Sequence, residues 1–152
     1  MKKHVSLSFT ILWIIFIYYN SLLSADISSA HSGFVLKLVQ KALEVIGLSP
    51  ALVTEHIVRK LAHFLGYAIL GFLMTTTVQL WYGGIKSRIY MILFWGLFVS
   101  VSDEFLQLFV DGRSGLVQDI VLDFSGFMFG MMIRVGLISS SIQSIDTGKN
   151  SG

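Results

Sequence analysis

The chain has 152 residues, 54% of them hydrophobic and only 13% charged, with a mean hydropathy of +0.74. A soluble domain carries about 25% charged residues, so this composition excludes an ordinary soluble globule and leaves the membrane class. The formal charge of +2 comes from scattered basic residues, which argues against nucleic acid, and the absence of cysteine excludes a disulfide or a thiolate metal site.

Residues 5–23 (VSLSFTILWIIFIYYNSLL) are long enough to span a bilayer. Leu23-Ser24-Ala25 offers a signal-peptide cleavage site. Tyr18 and Tyr19 instead read as an interfacial anchor, which favours a retained span. Residues 26–33 (DISSAHSG) read as a loop, with His31 in it. Residues 34–48 have helical periodicity: Phe34, Val35, Leu38, Val45 and Ile46 fall on one side, Lys37, Gln40, Lys41 and Glu44 on the other. That stretch is too short and too charged to span, so a surface-lying amphipathic helix is expected. Pro50 ends it, and His56 reads as a second loop histidine.

Three more spans follow, at about 58–81, 89–110 and 116–138. A Gly-Gly turn bearing Lys86 and Arg88 joins the first two, and the polar loop DGRSG joins the last two. The Ser/Gly-rich residues 139–152 read as a disordered tail. The expected fold is all-α: an integral membrane bundle of four transmembrane helices, with a short interfacial helix between the first and second. Lys2, Lys3, Lys86, Arg88, Arg134 and Lys149 fall on the side of the termini; Lys37, Lys41, Arg59, Lys60 and Arg113 fall on the other. Assigning Arg59, Lys60 and Arg113 to a site makes the remaining charges favour cytoplasmic termini in the cell membrane.

Polar residues within the spans carry the functional signal. A charge near the centre of a membrane helix costs at least ~2.5–3.5 kcal/mol on insertion scales, and such residues usually face the bundle interior. Arg59, Lys60 and His63 open the second span, and Asp103, Glu104 and Gln107 lie late in the third. Arg113 is in the loop after it, and Asp119 and Asp123 open the fourth. Antiparallel topology puts all of them at one face, expected to be the outer one. Arg59, His63 and Tyr67 share one helical stripe; Ser100, Asp103, Glu104 and Gln107 share another. Asp119, Asp123, Gly126 and Gly130 form a third, in which the glycines suit close helix packing and so turn the acids inward.

The chemistry of this layer is open at this point. His63 with Asp103, Glu104, Asp119 and Asp123 offers ligands for a divalent ion such as Mg²⁺, Mn²⁺ or Ca²⁺, or a set of proton carriers. Arg59, Lys60 and Arg113 suit a phosphate or carboxylate, with Tyr67, Gln107 and Asp123 beside them as further binding residues. The bland reading is a self-paired structural network. Gly115, Asp119 and Asp123 also spell Gly-x3-Asp-x3-Asp, which resembles half of the metal signature of CDP-alcohol phosphotransferases; the other half is absent.

The blocks RKLAHFLGYAILGF (59–72) and SDEFLQLFVDGRSGLVQDIVLDFSG (102–126) resemble, in order and spacing, those of the VanZ-like family. The resemblance covers roughly residues 10–135 and rests on Arg59, Lys60, His63, Phe64 and Tyr67; on Asp103, Glu104, Gln107 and Phe109; and on Gly112, Arg113, Asp119, Asp123 and Gly126. Asp111 stands where the family often has proline, and Asp123 where asparagine is common. The family is named for a protein of teicoplanin resistance, a glycopeptide acting at the outer membrane face. An outer-face polar site among membrane lipids is compatible with that association, and the leading expectation is a protein that binds or modifies an anionic envelope lipid or peptidoglycan-related ligand. The rivals are a metal-dependent phospholipid or polyprenyl-phosphate hydrolase or transferase, a small transporter, and a structural partner subunit. Convergence of three or more of the His and acid candidates within metal reach would favour the enzyme.

Overall fold

The computed structural model describes the backbone of residues 2–149 and the side-chain surroundings of residues 2–140. The described residues form five α-helices: α1 (Lys2–Ser21), α2 (Ala25–Val45), α3 (Glu55–Tyr82), α4 (Ile89–Gln107) and α5 (Val117–Lys149). Single 3₁₀ turns at Pro50–Leu52 and Lys86–Arg88 precede α3 and α4, and no strand occurs among the described residues. Among the described residues, four stretches are long and apolar enough to cross a membrane: Lys2–Ser21, Glu55–Tyr82, Lys86–Gln107 and Val117–Ser140. Large apolar side chains such as Phe9, Leu12, Phe94 and Val121 point outward from them, as helices solvated by lipid require.

α3 starts where Thr54 Oγ1 accepts from the Ile57 N–H, and it stops at Gly83, whose φ of 70° closes the helix in the left-handed region. α1 runs antiparallel to α3. Ser6 and Thr10 pair with Thr77 near the start of α1, at 2.8 and 2.9 Å. Further along, Trp13 Nε1 donates to the Gly66 carbonyl at 2.8 Å.

The closest packing is between α3 and α5. A Cβ at Gly126 would meet the Phe64 carbonyl, one at Gly130 the Ala68 carbonyl, and one at Gly71 the Phe127 carbonyl. Small residues let the two backbones approach, which is how helices gain packing where lipid gives no hydrophobic drive. Phe127 is fully buried at the centre of this contact, its ring against Gly96 of α4. Tyr67, Leu70, Ile92 and Val99 complete the core around it.

Four sequence expectations change. Residues 26–33 are helical and belong to α2, which starts behind Ser24 with Asp26 in its first turn, where a negative charge suits the helix dipole. His31 and His56 therefore sit in helices and not in loops. Tyr18 turns into the bundle, its hydroxyl 2.6 Å from Ser102 Oγ, while Tyr19 stays exposed. At the far end the helical backbone of α5 continues past residue 138 to Lys149, since a formed helix adds further residues at little cost. Residues 150–152 of the expected tail lie outside the described residues.

α2 folds back over the start of α3. Ser32 Oγ donates to Glu55 Oε1 at 3.0 Å, and Gln40 Nε2 reaches the Pro50 and Val53 carbonyls at 3.4 and 3.3 Å. The Ala25 N–H reaches the Asp111 carbonyl at 3.4 Å. α2 thus lies at the face where α1 and α4 end and α3 and α5 begin.

Candidate functional site

At that face a cavity of about 110 Å³ is lined by charged and imidazole side chains, among them Arg59, Lys60, His63, Glu104, Arg113, Asp119 and Asp123. Helix periodicity delivers the side chains. Arg59, Lys60 and His63 come from the first three turns of α3, Glu104 from the last turn of α4, and Asp119 and Asp123 from the first two turns of α5. Arg113 comes from the loop between α4 and α5, which turns at Gly112 (φ 74°).

The layer divides into four parts. The first is an acidic cluster with one imidazole: ligand atoms of His63, Asp103 and Asp123 all lie within 4.8 Å of one another. Two donors on opposite sides of a cation at ~2.0–2.4 Å are separated by no more than about that distance. Asp103 and Asp123 are fully buried, and none of their four carboxylate oxygens accepts a hydrogen bond of regular geometry, although the hydroxyls of Ser21 and Tyr67 stand beside Asp103. His63 Nδ1 stands 3.5 Å from Asp123 Oδ1, close enough for charge pairing but without hydrogen-bond geometry. A buried carboxylate short of regular hydrogen bonds is expensive, so these two acids beside one imidazole form a place that a cation or shared protons would satisfy.

The second part is structural. Glu104 Oε2 accepts from the Leu116 N–H at 3.0 Å, and Glu104 Oε1 accepts from Gln107 Nε2 at 3.2 Å. Glu104 therefore ties the end of α4 to the start of α5. The third is the ion pair of Lys60 Nζ and Asp119 Oδ1 at 3.2 Å, both partly exposed.

The fourth is the pair of guanidiniums. Arg113 donates through one terminal nitrogen to the Asn20 carbonyl at 3.3 Å, while its buried Nε has no acceptor. No carboxylate oxygen lies within 4.0 Å of Arg59 or Arg113 among the described residues. Burial pulls the Arg113 pKa below its ordinary value, and repulsion from Arg59 adds to this against the opposing pull of Asp103 and Glu104. An arginine remains cationic in proteins, so two positive charges face one cavity, neither with a carboxylate oxygen within 4.0 Å although Glu104, Asp119 and Asp123 line the same space.

A family comparison decides the class. The VanZ/LLP1 family model matches residues 6–138. The chain belongs to the VanZ/LLP1 family. No curated protein and no solved structure matches it.

Of the sequence-derived candidates in this VanZ/LLP1 chain, His63, Asp103 and Asp123 come together, whereas Glu104 and Asp119 have other partners. Tyr67 is buried against α4, with its hydroxyl 3.5 Å from the Val99 carbonyl. Gly126 and Gly130 face α3 as packing residues. Ser21 escaped sequence reasoning: it ends α1, is almost fully buried, and brings its hydroxyl beside Asp103. Its only signal was its place with Asn20 at the polar end of the first span. The Leu116 N–H, as a backbone group, had no signal at all.

Proposed function

We propose that this VanZ/LLP1 protein binds the anionic headgroup of an envelope lipid or peptidoglycan-related precursor, with Arg59 and Arg113 as the headgroup ligands. One observation carries this: two guanidiniums line one cavity and neither has a carboxylate partner. Phosphate and carboxylate are the groups that arginine pairs with bidentately. The site faces outward in this reading, with both termini cytoplasmic and the apolar face of α2 in the membrane interface. Binding or modifying such a headgroup at the outer face would change susceptibility to glycopeptides such as teicoplanin.

The test is a thermal-unfolding titration of the detergent-solubilised chain with inorganic phosphate and with short-chain phosphatidic acid. A ligand at about 100 times its Kd raises stability by ~2.7 kcal/mol. Wild type should gain stability and the double variant Arg59→Gln/Arg113→Gln should not. Equal responses of the two proteins would sink the reading.

A second reading has its own support. Convergence of His63, Asp103 and Asp123 favours a metal-dependent phospholipid or polyprenyl-phosphate hydrolase or transferase. These three residues would hold a divalent cation, whose charge would polarise a phosphoryl oxygen. Metal analysis of the purified chain beside Asp103→Asn and Asp123→Asn tests it, together with an assay of phosphate release from lipid phosphates.

A further inference from the structure

A second cavity adjoins the first. Its volume is about 470 Å³, and it lies between α1, α2 and α3. That is within the roughly 300–1,000 Å³ of sites that enclose small molecules. Phe16, Ile17, Val35, Val39, Ile57 and Leu65 give it a mostly apolar wall. Arg59, His63 and Arg113 line both cavities. The two spaces therefore share a basic rim, with carboxylates and polar groups on one side and hydrocarbon on the other.

The trough follows from local sequence. Ala62 and Gly66 provide small residues on the α3 face, and a Cβ at Gly66 would meet nothing within 4 Å. Its walls are pinned: the Trp13–Gly66 hydrogen bond holds α1 to α3, and the Ser32–Glu55 and Gln40–Val53 hydrogen bonds hold α2 across it.

Any apolar trough in a bilayer fills with hydrocarbon, so the lining alone selects nothing. Selection comes from the rim. A chain lying in the trough with its headgroup at Arg59 and Arg113 gains the charge pairing that these residues lack within the protein. We propose that the trough holds one hydrocarbon chain of an anionic amphiphile whose phosphate or carboxylate reaches the Arg59–Arg113 rim. The ligand is then lipid-linked and arrives from the bilayer between the helices. This rests on the anion-binding reading above and adds the tail, which that reading does not require.

The test uses the full chain in nanodiscs of zwitterionic lipid and a dodecyl phosphate carrying a photoreactive diazirine at mid-chain. Mass spectrometry maps the crosslinks, and a matched dodecyl maltoside probe serves as the neutral control. Label from the phosphate probe should concentrate on trough residues such as Ile17, Val39 and Leu65. It should fall several-fold in Gly66→Leu and in Ala62→Phe, either of which fills the trough, and also in Arg59→Gln/Arg113→Gln. Equal labelling of the trough by the neutral probe would overturn the proposal. So would label spread evenly over the lipid-facing helices. If inorganic phosphate still stabilises wild type in an Arg59- and Arg113-dependent way, only the tail assignment fails; if it does not, the anion reading fails as well.

Discussion

The Glu104 carboxylate accepts from the Leu116 N–H at 3.0 Å and so joins the last turn of α4 to the first residue before α5. This contact fixes how the loop carrying Arg113 is held, because both of its ends are then tied to one side chain. Glu104→Gln keeps an acceptor for Leu116 and should leave stability within about 1 kcal/mol of wild type. Glu104→Ala leaves that N–H without its partner and should cost about 1–3 kcal/mol. Thermal unfolding in detergent separates them, and equal losses would show that the acceptor geometry is not what matters.

Four buried oxygens of Asp103 and Asp123 accept no hydrogen bond of regular geometry. If a divalent cation satisfies them in the cell, a chelator should lower the unfolding temperature of protein purified without one, and added Mn²⁺ or Mg²⁺ should restore it. Asp103→Asn should be insensitive to both treatments. Wild-type protein that ignores the chelator would instead favour shared protons as the means by which these acids are neutralised.

The α3–α5 contact leaves no room for side chains at Gly126 and Gly130, where an added Cβ would run into backbone carbonyls. Backbone cannot rotate away, so the helices must separate. Gly130→Leu should cost at least about 1–3 kcal/mol. Gly66→Ala, into open space on the opposite side of α3, should be neutral or slightly stabilising. Loss of folded protein in detergent for Gly130→Leu alone is the expected pattern.

Much of this arrangement was legible in the sequence. Hydropathy locates four spans, and antiparallel succession alone gathers Arg59, His63, Asp103, Arg113 and Asp123 at one face. Helical periodicity places residues on a stripe but does not name the partner across from it. That is why Glu104 and Asp119 read as candidate ligands of a common site although their contacts go to Leu116 and Lys60. Tyr18 read as a membrane anchor because its hydrogen bond to Ser102 joins α1 and α4, far apart in the chain. The apolar trough had no signal either, since it arises from how α1, α2 and α3 diverge and not from any single stripe. The start of α2 was missed because Ser, Asp and Gly suggest a loop, and those same residues also begin helices.

The pairing of Lys60 with Asp119 is partly exposed on both sides. Such pairs contribute about 0–1 kcal/mol, so Lys60→Met should leave stability nearly unchanged. A loss well beyond that range on thermal unfolding would mean that Lys60 closes the polar layer and does more than flank it.

The most direct measurement is native mass spectrometry of the protein purified gently from its own membranes, wild type beside Arg59→Gln/Arg113→Gln. The expected result is an anionic lipid bound to wild type and absent from the double variant, with both proteins inserted and folded. Wild type free of lipid, or a lipid retained equally by the variant, would contradict headgroup binding at the Arg59–Arg113 rim.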